Sequence, residues 1–212
     1  HLKMAGYLAK QLGFRILMVD YATAPNQPFP APLDNCETVF RWLTKQGINP
    51  ENTVIAGDSA GATLTLTLML KLRESGKALP AAAACLSPAV DFTPKARQDN
   101  DFKDPLLPSK AMTFYTQSYL GDNNPYNPLI SPIYANLQGL PPLLIHVGEE
   151  EILRKDATRI TDKARSTGVD VRLEVYPRMW HVWQLFLALP QATQSLDDIA
   201  QFFKDQLDFN TK

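Results

Sequence analysis

Leucine and threonine alternate over residues 63–68, "TLTLTL", and alone this run reads as a strand with one polar face. A wider window has a different period. Leu64, Leu68 and Leu72 recur every four residues, and Ala62, Leu66, Met69 and Leu70 follow on the neighbouring face. Lys71 and Arg73 gather near the end and Gly76 follows, the pattern of a helix C-terminus. The spacing therefore predicts a helix over 60–75, apolar nearly all round and hence buried. Its threonine hydroxyls can bond back to carbonyls of the preceding turn. Just upstream, "NTVIAG" predicts a strand over 52–57 and "GDSAG" a sharp turn over 57–61.

Leu2, Ala5, Leu8, Ala9 and Leu12 fall at helical spacing up to Gly13 and predict a helix over 2–12. The short apolar runs "FRILMV" (14–19), "AAAACLS" (81–87), "LLIHV" (143–147) and "VRLEVY" (171–176) predict further strands, although alanine weighs against the second of these. Further helices are predicted over 35–46, capped by Asp34 and ended by Gly47, and over 109–120, 155–167 and 192–208. "APNQPFPAP" (24–32) is a proline-rich loop. Strands alternating with helices imply an α/β fold, a mostly parallel sheet flanked by helices on both faces. Residues 88–142, irregular and rich in proline, read as a long, lid-like insertion near a site. No repeat or low-complexity tract is found.

A length of 212 residues suits one domain over 1–212. A net charge of −1 gives no reason to expect nucleic acid. No apolar run reaches the roughly 18 residues of a membrane span. The two cysteines, Cys36 and Cys85, lie far apart and outside any CxxC, which fits buried thiols in a reducing compartment and a cytoplasmic location. The three histidines at 1, 146 and 181 form no HExxH, so neither metal nor other cofactor is expected. The chain opens inside a helical pattern without an initiating methionine, which suggests that upstream sequence is missing.

Strand, turn and helix in succession make Gly57-x-Ser59-x-Gly61 chemically meaningful. Ser59 on a strained turn would hold its hydroxyl above the carboxyl ends of the strands. Ala60 N–H, at the helix start, would point where an oxyanion forms. A serine hydroxyl needs a base. His181, in "PRMWHVW" after the strand at 171–176, is that candidate; His146, inside a strand, reads as a packed core residue. In the chain order nucleophile–acid–histidine, the acid follows Ser59 and precedes His181. Asp91 fits loosely, and Glu149-Glu150-Glu151, after "LLIHVG", fits best. The aromatic stretch "MWHVWQLF" suits either the domain's own core or a homodimer surface.

Several ordered segments resemble the hormone-sensitive-lipase-like branch of the α/β-hydrolase esterases. "VIAGDSAGATL" is similar to that family's GDSAG elbow. "LMVDYATAPNQPFPAPLDN" is similar to its VDYRLAPExPFPA segment, with Ala22-Thr23 in place of Arg-Leu. "NPLISPIYANLQGLPPLLIHVGEEEIL" and "YPRMWHVWQLF" resemble its acid-loop and histidine-loop segments. The resemblance implies Ser59 as nucleophile and His181 as base. It aligns Glu151 with the catalytic aspartate, with Glu150 as the alternative acid. Lys155 replaces a second family aspartate, unless Asp156 serves after a one-residue shift. It also implies that the family's first strands, HGGG oxyanion loop and cap lie before residue 1. The expected function is a serine carboxylesterase acting on short- to medium-chain esters through an acyl-enzyme. A ligand-binding module without catalysis and an acyltransferase are the alternatives. Met112, Phe114, Tyr115 and Tyr119 either line an acyl pocket or pack a lid helix.

Overall fold

A computed structural model describes residues 1–96 and 104–209. Four strands, β1 (Val54–Asp58), β2 (Ala82–Leu86), β3 (Leu143–Gly148) and β4 (Val171–Tyr176), form one sheet in the order β1-β2-β3-β4, with every neighbouring pair parallel. Parallel neighbours need crossovers. Here α3 (Ala60–Glu74) links β1 to β2 and α5 (Arg154–Ser166) links β3 to β4. The other helices are α1 (Leu2–Leu12), α2 (Ala31–Lys45), α4 (Ser109–Leu120) and α6 (Pro190–Phe209).

The two-residue period of the strands sorts the core onto two faces. Ala83 and Cys85 of β2 and Leu143, Ile145 and Val147 of β3 meet Leu66, Met69 and Leu70 of α3 and Ile160 of α5. Ala82, Ala84 and Leu86, with Leu144, meet Leu8 and Leu12 of α1 and Leu196, Ile199 and Phe203 of α6. The alanine-rich segment is a strand after all. It lies between two partners, every residue buried, and its small side chains make room for helices above and below. Intrinsic propensity yields to that context.

The 60–75 helix forms as expected and is buried at every position from Ala62 to Leu70. Thr67 donates to the Thr63 carbonyl at 2.9 Å, the expected back-bond, whereas the Thr63 hydroxyl donates to the Ala89 carbonyl at 2.6 Å. Gly13 ends α1 in the left-handed conformation, φ 72°. The helix expected over 35–46 starts earlier, at Ala31, because Pro32 suits the first turn, and Asp34 lies within that turn rather than capping it.

One predicted strand is absent. Residues 15–20 form no strand, and Phe14, Ile16, Leu17 and Met18 are exposed by 39 to 51%. Apolar, β-branched composition makes a segment competent for pairing, but a strand exists only as part of a ladder. None of the four described strands pairs with this one. Of the 88–142 segment, residues 97–103 lie outside the described part. Elsewhere in it Met112 and Tyr119 pack with Phe92 and Ile130, while Phe114 and Tyr115 are exposed and touch each other edge to face. No helix among the described residues is long and apolar enough to cross a membrane.

His146 is a satisfied core residue. In the neutral form that its partners fit, Nδ1 accepts from the Ser195 hydroxyl at 2.8 Å and Nε2 donates to Asp198 Oδ2 at 3.0 Å, tying β3 to α6. Burial pushes its pKa below the ordinary 6.5; the Asp198 carboxylate and Glu174 oppose this, and Arg172 adds to it. Asp198 is held below its usual range, first by the His146 hydrogen bond and then, against burial, by Arg172. The unfolded chain therefore binds a proton at His146 that the fold resists. This contribution to stability is complete above about pH 6.5 and shrinks as the pH falls below that value. The thermal unfolding midpoint should drop between pH 7.5 and 5.5, and a His146→Gln variant should show a flatter profile across that window.

Candidate active site

Ser59 follows β1 directly and precedes the first residue of α3. Its backbone is left-handed, φ 53° and ψ −116°, a conformation that costs a non-glycine residue on the order of 1–3 kcal/mol. The surroundings hold it there: Ser59 N–H donates to the Leu86 carbonyl at 2.8 Å, and the Ser59 carbonyl accepts from Ala62 and Thr63 N–H. Serine at the N-cap of a helix ordinarily caps it through its side chain. Here no side-chain cap bond forms, so the hydroxyl remains available. The Ala60 N–H is a first-turn donor with no intrahelical partner, on an exposed residue beside that hydroxyl.

Of the two flanking glycines, only Gly57 is required by close approach. A Cβ there would fall inside the Gly61 carbonyl group and 2.8 Å from Ala62 N. At Gly61 a Cβ would meet only the Tyr21 hydroxyl, at 4.0 Å. Close approach thus accounts for glycine at 57 and not at 61.

His181 lies in the loop between β4 and α6, 8% exposed. Its Nε2 is 2.9 Å from Ser59 Oγ. Its backbone N–H donates to Asp104 Oδ2 at 3.0 Å, and Oδ1 of the same carboxylate accepts from Leu106 and Leu107 N–H. Arg178 and Val182, on either side of His181, also have left-handed backbones.

The three glutamates after β3 separate clearly. Glu149 accepts from Arg178 N–H at 3.1 Å. Glu150 is exposed. Glu151 is wholly buried, with Oε1 3.5 Å from His181 Nδ1, and neither of these two atoms has a hydrogen-bond partner among the described residues. Glu151 Oε2 accepts from Gly148 N–H and from the Ser87 hydroxyl, each at 2.8 Å. Gly148 is a second close approach, since a Cβ there would run into the Met179 carbonyl and lie 3.0 Å from the Trp180 oxygen. The β3–α5 loop and the His181 loop are therefore in direct backbone contact.

Ser59, Ala60, Glu151 and His181 thus converge at the carboxyl ends of the strands, whereas Glu150 is exposed and meets the His181 loop through its backbone N–H, which donates to the Met179 carbonyl. Asp91 pairs with Arg159 at 2.9 Å, and Asp156 accepts from Val90 N–H at 3.0 Å. Burial lifts the Asp58 carboxyl above its usual range, with nearby His181 pulling the other way, and His1 Nε2 reaches it at 3.1 Å. Trp183 is fully buried, packed on Tyr176, whereas Phe186 is half-exposed against Trp180. Ser87 and Asp104 were not among the sequence candidates. Their partners are distant in the chain and no local pattern marks them.

Residues 1–185 match a protein family described as having the alpha/beta hydrolase fold. An esterase of Acinetobacter venetianus is 38% identical over 199 residues, which cover 92% of this chain and 66% of the relative. An acetyl-hydrolase of Streptomyces hygroscopicus is 35% identical over 207 residues, or 96% of this chain and 69% of the relative. A crystal structure of an esterase from the bacterial hormone-sensitive lipase family superimposes with a TM-score of 0.93 at 41% identity, over 98% of this chain and 71% of that one. The chain spans about two thirds of the length of these curated relatives.

Proposed function

The chain belongs to the hormone-sensitive-lipase-like branch of the α/β-hydrolase family, and from that premise we propose that it is a serine carboxylesterase with the triad Ser59, His181 and Glu151. The observation that carries the reading is the 2.9 Å approach of His181 Nε2 to a Ser59 hydroxyl left uncommitted on a left-handed elbow. His181 takes the hydroxyl proton as Ser59 Oγ attacks the ester carbonyl. Ala60 N–H donates to the resulting oxyanion. Glu151 Oε1, facing His181 Nδ1, stabilises the imidazolium. His181 then gives the proton to the departing alcohol, and water repeats the sequence on the acyl-enzyme to release the acid.

Short- to medium-chain esters are the substrate class, a reading supported by the esterase and acetyl-hydrolase relatives. A cytoplasmic location is supported by Cys36 and Cys85 standing unpaired.

Incubation with a fluorophosphonate probe is expected to leave one adduct per chain, on Ser59. A folded protein that takes no label and does not turn over p-nitrophenyl acetate would overturn the proposal. Glu151→Gln should lower kcat/KM by about 10²–10⁴-fold, while Glu150→Gln should stay within about twofold. The reverse ranking would transfer the acid's role to Glu150.

A further inference from the structure

We infer that Ser87 is a positioning residue for the ester hydrolysis proposed above, and the inference rests on that reading. Ser87 immediately follows β2 and is completely buried. Its hydroxyl makes two bonds, both across the chain. It donates to Glu151 Oε2 at 2.8 Å and accepts from Val182 N–H at 3.2 Å. One oxygen atom therefore joins the loop that carries the acid to the loop that carries the base.

The first bond matters because Glu151 stands where its side chain is one methylene longer than an aspartate's. A longer buried carboxylate has more rotamers in which neither oxygen meets the imidazole. Ser87 Oγ–H and Gly148 N–H both occupy Oε2, which leaves Oε1 directed at His181 Nδ1. The second bond holds Val182, the residue after the base. With Asp104 accepting the N–H of His181 itself, two successive backbone donors of the base loop are fixed by side chains from separate segments.

Backbone geometry gives an independent indication. Among the described residues, the non-glycine positions with positive φ are Ser59, Ser87, Arg178 and Val182. All four belong to the segments that meet at this site. Ser87 has φ 50°, a conformation that glycine adopts without strain. Strain of this kind persists where the surroundings over-determine it, and it concentrates at functional sites. The backbone alone already fixes the strand end, since Ser87 N–H donates to the His146 carbonyl at 2.7 Å. The hydroxyl is thus free for a separate task, orienting the carboxylate.

Ser87→Gly removes the hydroxyl at a position whose backbone suits glycine, so the fold should survive. Expected is a fall in kcat of about 10–100-fold with KM within about twofold of the parent. In a Glu151→Gln background the same substitution should lower kcat by a clearly smaller factor, because the part that acts through the carboxylate is already lost and only the bond to Val182 N–H remains. Ser87→Cys, close in volume and a weaker donor, should fall between serine and glycine, and it serves as the test if the glycine variant does not fold. A Ser87→Gly enzyme with unchanged kcat, or one that loses the same factor in both backgrounds, would overturn the inference. Ser59→Ala separates the two levels. Turnover surviving in that variant sinks the esterase reading itself, whereas its loss alongside an unaffected Ser87→Gly sinks only the role of Ser87.

Discussion

Ser59→Ala is expected to lower turnover of p-nitrophenyl acetate by at least about 10⁴-fold, with little change in the thermal unfolding midpoint. The size follows from the mechanism. In the proposed mechanism the serine hydroxyl forms the covalent bond, and among the described residues no neighbouring side chain at the elbow replaces it. The residual rate would come from the oxyanion donors, Ala60 N–H among them, and from substrate binding. The small effect on stability follows from the structure. The Ser59 hydroxyl caps no helix, and its bond is to His181 Nε2. The elbow itself rests on main-chain bonds, Ser59 N–H to the Leu86 carbonyl and Ala62 N–H to the Ser59 carbonyl, which alanine preserves. Hydrolysis and fluorophosphonate labelling should be lost together. A variant that hydrolyses at the parental rate would place the nucleophile elsewhere.

Gly57→Ala should be severely damaging for a single added methyl group. The new Cβ would collide with the carbonyl of Gly61 and lie 2.8 Å from Ala62 N, all of it backbone in the first turn of α3. A flexible side chain could turn aside, but a helix start cannot. Relief requires β1 and α3 to separate exactly where Ser59 is held between them. A cost of about 3 kcal/mol or more is expected, lowering the unfolding midpoint by about 6–12 °C for a chain of this size. Activity should fall further than stability, because the elbow that aims the hydroxyl at His181 is what moves. Gly61→Ala is the control. Its Cβ would meet only the Tyr21 hydroxyl at 4.0 Å, so its midpoint should stay within about 2 °C of the parent. Equal effects at the two glycines would reject the close-approach argument.

Much of the fold was legible along the chain because its signals are local. The four-residue recurrence of Leu64, Leu68 and Leu72 outweighed the short Thr-Leu alternation, and α3 formed where that recurrence lies. Gly13 and Gly76 stop their helices with left-handed φ values of 72° and 64°. The run at 14–19 misled because it has the composition of a strand but no ladder among the described residues. Composition reports what a segment can bury, and pairing depends on what stands beside it. The alanine run is the opposite case, a strand expected against its residues' propensity and found. Its propensity argued against a strand, and two flanking partners made it one.

The sequence by itself determined the alternating order of strands and helices, the turn that carries Ser59, and the short list of histidines and acids from which a base and its partner could come. Those properties rest on side-chain periodicity, on glycine, and on contacts within a few residues. Only the tertiary structure decided which glutamate faces His181, which glycine the elbow requires, and that Ser87 and Asp104 bond to the segments carrying Glu151 and His181. The Ser59–His181, Ser87–Glu151 and Asp104–His181 bonds span 122, 64 and 77 residues. No local period encodes such distances. They close because a parallel sheet brings the carboxyl ends of all its strands to one edge, where loops far apart in the chain become neighbours.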